Sequence, residues 1–525
     1  MARSRVDPVR GAAGRERSSS PTVGVLLGGA LRRNSSRVAV KSAAASLTYA
    51  ELDEESRRIA GGLAELGVRA GERVALLLKN GIEYVLADLA IARSGLVKVP
   101  LNELLSRSDV EYAIGHAGVS LIIVHASLHH LVDGLKNVTV VVVADDSDNA
   151  VHGIPFERLS AANAVEAQPA GADDPAVIMY TGGTTGRPKG ILHSAGALGT
   201  NLLAHVLSAE IRDGEQMLLS TPLPHSAGFF LQAGLLQGAT IHIAPRFDPD
   251  GLLDAVEKDA ISWTFMVPTM IYRLLDTLDG QLRDTSNLET ILYGAAPIAK
   301  TRIEEALDRF GPVFLQIFGQ SECPNFATTL SKEDHLDSEL LASCGQPCPT
   351  VEVRVGDDQG RELATGEVGE VMLRSPYTLR EYYGAPELTE QAFFSDWLRT
   401  GDVGFQMPSG HVFLVDRKKD MIITGGMNVY SSEVEQVLHE HPEIETAAIV
   451  GVPDADWGEA VHAFFVSTRD PDPGKILEFC RDKIAKYKVP KGLTQLEKLP
   501  TTPYGKIDKK ALRALWLRDN TGDNQ

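Results

Sequence analysis

The 525-residue sequence has four cysteines, Cys323, Cys344, Cys348 and Cys480, too few and too scattered for a disulfide framework. Cys344 and Cys348 lie four positions apart, but no second cysteine or histidine pair completes a zinc set, so all four read as small buried thiols. No apolar run approaches the roughly 18 residues a spanning helix needs, which excludes a membrane span. Positive charge is in deficit, with 51 Lys and Arg against 70 Asp and Glu and a net charge of −19. Nucleic acid is therefore disfavoured as a partner, because phosphate-backbone binding needs a basic footprint. Small anionic ligands are still allowed, since they need only a local basic pocket. No internal repeat or low-complexity block stands out. The first 20 residues carry five arginines and several serines but no apolar h-region. Residues 1–20 thus read as a flexible tail rather than a secretory signal, with a transit peptide as the weaker alternative. The protein is expected in the cytoplasm.

What is present is ordinary globular material, 43% hydrophobic and 23% charged, in a length that implies more than one domain. From about residue 46 the pattern alternates helix and strand. Thr48 and Glu51 have capping-box spacing ahead of Leu52, Ile59, Leu63 and Leu66, and Ser108 and Glu111 repeat the signal. Short apolar runs at 74–78, 97–101, 121–124 and 138–144 read as buried strands, with a helix over 82–92. The stretch 161–175, rich in Ala, Asp and Pro, reads as a linker between subdomains. Strands are then expected near 176–180, 217–220, 240–244, 263–266, 289–293 and 313–317. Such alternation argues for parallel sheets covered by helices. Residues 350–415 change to short alternating runs with Gly turns, an antiparallel texture. A last unit has helices over 433–439 and 475–486. The fold expected is α/β: a large N-terminal body over 21–416, mainly parallel with a small antiparallel region, and a smaller α+β domain over 417–525.

The most informative stretch is YTGGTTGRPKG, Tyr180 to Gly190, directly after an expected strand. Its glycines and hydroxyls can turn backbone N–H groups and threonine side chains toward phosphate oxygens, and Lys189 adds a cation. No glycine immediately precedes the lysine, so it is not a Walker A loop. Its bland reading is a Gly-rich strand-to-helix turn, but this combination of residues is rare by chance.

The segment resembles the adenylate-forming superfamily: acyl- and aryl-CoA synthetases, peptide-synthetase adenylation domains and beetle luciferases. Further blocks follow in the family's order: TPLPHSAG (221–228), LYGAAP (292–297), FGQSE (318–322), RTGD (399–402), VDRKKDMIITGGMNV (415–429) and PTTPYGKID (500–508). The resemblance spans about residues 46–512 and is closest to acyl-CoA synthetases. It implies ATP, Mg²⁺ and coenzyme A as cofactors and a small-molecule carboxylic acid as substrate.

Carried over residue by residue, the resemblance places Thr181, Gly182, Gly183, Thr184, Thr185, Gly186 and Lys189 at the phosphates. Gly294, Ala295, Ala296, Phe318, Gly319, Gln320 and Ser321 fall beside the adenine, Phe318 standing where the family usually has Tyr and Ser321 for the commoner Thr. Glu322 is the Mg²⁺ ligand, a carboxylate suited to an oxygen-seeking ion that bridges phosphates. Asp402 accepts from the ribose hydroxyls and Arg417 donates to ribose or phosphate. Singly these would read as core packing, a turn residue and a surface ion pair.

Lys506 corresponds to the family's mobile catalytic lysine. Bringing a carboxylate to the α-phosphate joins two anions, so catalysis must come from positioning and cations. In isolation Lys506 belongs to a run with Lys509 and Lys510 that suits a solvated face. Lys419 falls at the hinge about which the C-terminal domain of the family rotates. Gly425 and Gly426 would admit the pantetheine arm of CoA. An ordinary turn is the alternative for that pair, and Lys486, Lys488 and Lys491 read first as solvated.

The pocket block Pro224-His225-Ser226 lacks the Asp that amino-acid-activating domains use. His225, Phe229, Phe230, Gly319, Cys323 and Pro324 therefore suggest an apolar pocket without a charge to pair a second carboxylate. A hydrophobic monocarboxylic acid fits, whether aromatic, medium-chain or alicyclic. Cys323 and Pro324 depart from the family's usual continuation. Only 19 residues follow Lys506, which favours free CoA over a fused carrier domain. A separate acyl carrier protein is the rival acceptor, a non-catalytic nucleotide-binding relative is the rival from another class, and a monomer or a homodimer fits equally.

Overall fold

A computed structural model describes residues 21–144, 152–181, 188–278, 283–454, 456–467, 469–502 and 507–521; the expected tail over 1–20 lies outside the described residues. Two large, mainly parallel sheets carry the N-terminal body. The first has nine strands, with parallel neighbours running Phe314–Gln320, Thr290–Gly294, Trp263–Met266, Gln216–Leu219, Thr240–Ile243 and Val38–Lys41. The second has eight, with Pro175–Thr181, Val97–Pro100, Arg73–Leu77, Leu121–His125, Thr139–Val143 and Ile154–Pro155 parallel in that order. Lys189–Ser194 then pairs antiparallel with Pro175–Thr181, and Glu381–Tyr382 closes that edge. The sheets interleave along the chain: the first opens with residues 38–48, the second occupies 73–194, the first resumes at 216, and the second closes at 381–382.

The strands form because β-branched runs such as Val140–Val143 suit a pleated, doubly covered surface. Between the sheets lie helices that are apolar almost all round, Ile82–Arg93 and Gly228–Leu236 among them. Leu76 and Val177 of one sheet share a single core with Met217 and Ile241 of the other. Each fully buried large side chain there, Phe230 or Trp263 for example, contributes about 1.5–3 kcal/mol. Polar groups in this layer must pair internally. Arg93 reaches Asp53 at 2.7 Å, and Asp88 is held by Lys98 at 2.5 Å and by the amide of Gln232 at 2.7 Å.

Thr48 and Glu51 form the expected capping box on helix Tyr49–Glu65. The second box is not Ser108 with Glu111. Ser106 caps Arg107–Ala117 with Asp109, while Ser108 and Glu111 lie inside the helix and Glu111 pairs with Arg107 one turn back. The stretch 161–175 also differs from expectation. It does not join subdomains, because strands on both sides of it belong to the second sheet. It runs over the buried helices, with Val165 N–H donating to the Arg57 carbonyl and Gln168 N–H to that of Arg93.

The antiparallel texture of 350–415 appears as a third sheet of Glu352–Gly356, Gly369–Arg374, Trp397–Gln406, Phe393–Phe394 and Val412–Arg417. Arg417 is its last residue, and Ile422 opens a fourth sheet covered by helices Ser431–His439, Pro473–Lys483 and Lys509–Thr521. The Asp416 carboxylate accepts both the Ser431 N–H and its hydroxyl across that junction. All four cysteines are buried and unbridged, as the thiol reading expected. No helix of the described residues is long and apolar enough to cross a membrane.

Candidate active site

In a parallel sheet the loops leaving the carboxyl ends of neighbouring strands converge, which is where ligands bind in open α/β folds. The segments 221–228, 294–297 and 318–322 leave strands Gln216–Leu219, Thr290–Gly294 and Phe314–Gln320, all in the first sheet. The sequence motifs are thus brought together by one sheet. Gly294 lies opposite Ile317, and a Cβ there would come within 2.5 Å of the Ile317 carbonyl oxygen. Ala295 adopts a left-handed φ of 69°, so the exposed Ala295 and Ala296 turn away directly after the buried Gly294 that ends the strand. Gly319 is fixed similarly, since a Cβ would meet the backbone of Asn325 at 2.6 Å. Phe318 and Gln320 are half-buried.

Ser321 and Glu322 form the tight turn between Phe314–Gln320 and Cys323–Leu330. The Tyr382 hydroxyl donates to Glu322 Oε1 at 2.8 Å, and the Lys189 ammonium stands 4.7 Å from the centre of the Tyr382 ring. Burial, then the Glu322 charge, pushes the Tyr382 phenol well above its ordinary value, so it remains a donor. The second sheet holds the same turn from the other side: His193 Nε2 donates to the Ser321 carbonyl at 2.8 Å. Burial brings His193 down to about 4, which keeps its ring neutral.

Lys189 lies on the strand that pairs antiparallel with Pro175–Thr181, its register partner being Thr181. The Gly-rich segment therefore joins two antiparallel strands, not a strand to a helix; Gly182, Gly183, Thr184, Thr185 and Gly186 lie outside the described residues. Asp402 is buried, takes its register opposite Arg417 in the third sheet, and pairs with it at 3.1 Å. Arg417 is exposed. One carboxylate, Glu322, with substrate phosphates and water gives the all-oxygen donor set that Mg²⁺ prefers.

His225 interrupts the helical geometry within Leu223–Ala227, just ahead of helix Gly228–Leu236, with φ −115° and ψ −146°. Asn102 Nδ2 donates to its Nε2 at 2.7 Å, and burial brings the imidazole down to about 4. It is a neutral ring, contributing shape and hydrogen bonding. With Phe229 it lines a cavity whose walls include Ile91, Met179 and Leu198. Two charged side chains, Asp88 and Lys98, also line it, but they neutralise each other and leave no net charge to pair a second carboxylate. Phe230 belongs to the core, packed on Phe265 and Trp263. Cys323 and Pro324 are buried outside this cavity, and the Pro324 carbonyl accepts from Asn201.

In the C-terminal unit, Gly425 and Gly426 have φ of 56° and 78° and form the two-residue turn between Ile422–Thr424 and Met427–Val429. That hairpin accounts for both glycines on its own. Lys419 is exposed three residues before the fourth sheet begins. Lys488 is engaged by Glu433 at 2.6 Å, Lys491 stands 4.2 Å over Trp457, and Lys486 is exposed. Lys506 lies outside the described residues.

Sequence reasoning missed Tyr382, His193, Asn102, Asp88, Lys98 and Gln232. Asn102 alone carried a usable signal, being a polar residue just beyond the carboxyl end of a parallel strand, Val97–Pro100.

Two interleaved parallel sheets with this ordered set of loops at their carboxyl ends, followed by a small α+β unit, define an adenylate-forming enzyme. The chain belongs to the AMP-binding enzyme family, whose model matches residues 29–383, with the AMP-binding enzyme C-terminal domain matched over 433–506. It is 34% identical to a medium/long-chain-fatty-acid–CoA ligase of Mycobacterium tuberculosis, over 94% of this chain and 90% of that protein. It is 35% identical to a feruloyl-CoA synthase of Amycolatopsis, over 90% of this chain and 95% of that one. The solved structure of an amide bond synthetase from Marinactinospora thermotolerans superposes with a TM-score of 0.84 at 34% identity, covering 94% of this chain and all of that one.

Proposed function

We propose that the protein is an ATP-dependent carboxylic acid–CoA ligase acting on a hydrophobic monocarboxylic acid. The observation that carries this reading is the convergence of Lys189, Tyr382 and Glu322 beside the loops of the first sheet, next to an apolar cavity lined by His225. A carboxylate oxygen of the acid attacks the α-phosphorus of ATP, the bond to the β-phosphate oxygen breaks, and pyrophosphate leaves. Mg²⁺ on Glu322 would neutralise phosphate charge during this step. Lys189 and Lys506 supply the protein's cations, Asp402 and Arg417 hold the ribose, and Phe318 faces the adenine. The thiol of CoA then attacks the acyl carbonyl of the mixed anhydride, loses its proton, and expels AMP. Residues 21–416 form the body and 417–525 a mobile lid turning at Lys419, with Gly425 and Gly426 against the pantetheine arm. A cytoplasmic location suits these substrates.

The names of the similar proteins support an aliphatic or an aromatic acid, and that of the amide bond synthetase is consistent with one fold delivering an acyl group to different acceptors. A separate acyl carrier protein is therefore the second reading. Pyrophosphate release, screened over carboxylic acids with and without CoA, tests both. Release with thioester formation supports the ligase, release with accumulating acyl-AMP despite CoA moves the acceptor to a carrier protein, and no release with any acid sinks the reading.

A further inference from the structure

The cavity beside His225 is apolar along most of its wall but holds a buried polar group that the chemistry above does not use. His225, Phe229 and Gln232 line it at helical spacing, four and then three residues apart. Exposure falls in the same order: His225 and Phe229 are half-buried and Gln232 is buried. Within helix Gly228–Leu236 the three positions from Phe229 to Gln232 rise roughly 4.5 Å, nearly one turn further from His225. Asp88, Lys98 and Thr22 line the same cavity, and Asp88 touches both Gln232 and Lys98.

The hydrogen bonds of this group are unequally filled. Both Asp88 oxygens are engaged, one by the Lys98 ammonium at 2.5 Å and the other by the Gln232 amide at 2.7 Å. Lys98 thereby uses one of its three donors. Among the described residues the Gln232 amide is engaged through its nitrogen, by Asp88, and the Thr22 hydroxyl, on a residue only 5% exposed, is a buried polar atom with no partner. An ion pair set among apolar side chains is poor value for stability, since desolvation offsets its attraction. Its use here is to present a donor, an acceptor and a hydroxyl at the end of the cavity remote from His225. The pair is neutral overall, so a second carboxylate would find no net positive charge there, whereas an alcohol or phenol could donate to Gln232 and accept from Lys98 or Thr22.

We infer that the acid this protein activates carries a neutral hydroxyl at the end remote from its carboxylate, read by Lys98, Gln232 and Thr22. The inference rests on the ligase reading and narrows its substrate class. A site built to hydrogen-bond a hydroxyl discriminates sharply against an analogue lacking it, because its own polar groups are then left unpaired.

The test compares matched acids by initial rate of CoA thioester formation: 8-hydroxyoctanoate against nonanoate, and 4-hydroxycinnamate against 4-methylcinnamate. The full-length enzyme should favour the hydroxylated member of at least one pair by tenfold or more in kcat/KM. Gln232→Leu should collapse that ratio toward unity while activity on the hydrocarbon member persists. Gln232→Leu also uncovers an Asp88 oxygen and can fail to fold. Thr22→Val, isosteric and removing no hydrogen bond of the folded protein, then serves, with an expected threefold or greater fall in the same ratio. Equal or higher rates with the hydrocarbon members, or thioester only from acids without a distal hydroxyl, overturn the inference and leave the ligase standing. Absence of thioester and of pyrophosphate release with every acid removes the ligase reading, and the inference with it.

Discussion

The Tyr382 hydroxyl donates to Glu322 Oε1 at 2.8 Å from 60 positions downstream, and the same ring lies beneath the Lys189 ammonium. The edge strand of one sheet thus holds the carboxylate carried on a turn of the other. Tyr382→Phe keeps the ring and its contact with Lys189 but removes the donor. Hydrogen bonds to charged groups contribute about 1.5–3 kcal/mol, so roughly a tenfold or greater loss of kcat/KM for pyrophosphate release is expected. A rise in the Mg²⁺ concentration giving half-maximal rate should accompany it. An unchanged Mg²⁺ profile would show that Tyr382 does not orient Glu322.

Lys506 is assigned to the first half-reaction only. Lys506→Ala should lower acyl-adenylate formation by roughly 10²–10³-fold, the usual cost of removing one charge-stabilising group. Thioester formation from preformed acyl-adenylate should be nearly unaffected. Equal loss of both steps would contradict a lysine that serves adenylation alone.

The Asp402–Arg417 pair predicts a nucleotide phenotype. Asp402→Ala leaves Arg417 in place but removes the ribose acceptor, so KM for ATP should rise about tenfold with a smaller change in kcat. The variant should also lose the wild-type preference for ATP over 2′-deoxy-ATP. A variant that keeps this preference would place the ribose elsewhere.

Three histidines set an acid limit on stability. Burial brings His193, His205 and His225 to about 4, well below the value near 6.5 of an unfolded histidine. Above pH 6.5 both states are neutral and the histidines cost nothing. As pH falls from 6.5 toward 4 the unfolded chain binds protons that the native rings refuse, and stability falls. At pH 5 the loss is about 2 kcal/mol for each of the fully buried rings of His193 and His205, and smaller for the half-buried His225. Urea midpoints measured between pH 7.5 and 5 should drop accordingly, and less steeply in His193→Asn.

Much of this architecture was legible in the sequence, and the exceptions have a common cause. The strand runs and the Thr48–Glu51 box are local patterns and appear where expected. The second box slipped by two residues because Ser106 and Ser108 offer equally spaced caps, Asp109 and Glu111, and only the backbone distinguishes them. The motif order singled out Glu322, Asp402, Arg417 and His225, but not Tyr382 or Asn102 or the Asp402–Arg417 pair, because these contacts are made by tertiary pairing. Asp88 was invisible for a different reason. An acid such as Asp88 in the run IEYVLADLAIAR reads as a solvent-facing position, yet that helix is buried nearly all round and its partner Lys98 comes from the next strand.

The interleaving of the two large sheets has a consequence for how the protein is made. Emerging from the ribosome in order, residues 38–48 wait unpaired with their sheet until residue 216 and beyond, and the second sheet lacks its last strand until residues 381–382 appear. Glu322 is synthesised 60 residues before the tyrosine that holds it. The N-terminal body cannot mature as two successive halves, and the site assembles only after nearly three-quarters of the chain exists. Until then the apolar helices meant for its middle layer have only half their cover, which makes this body a natural client for chaperones during synthesis.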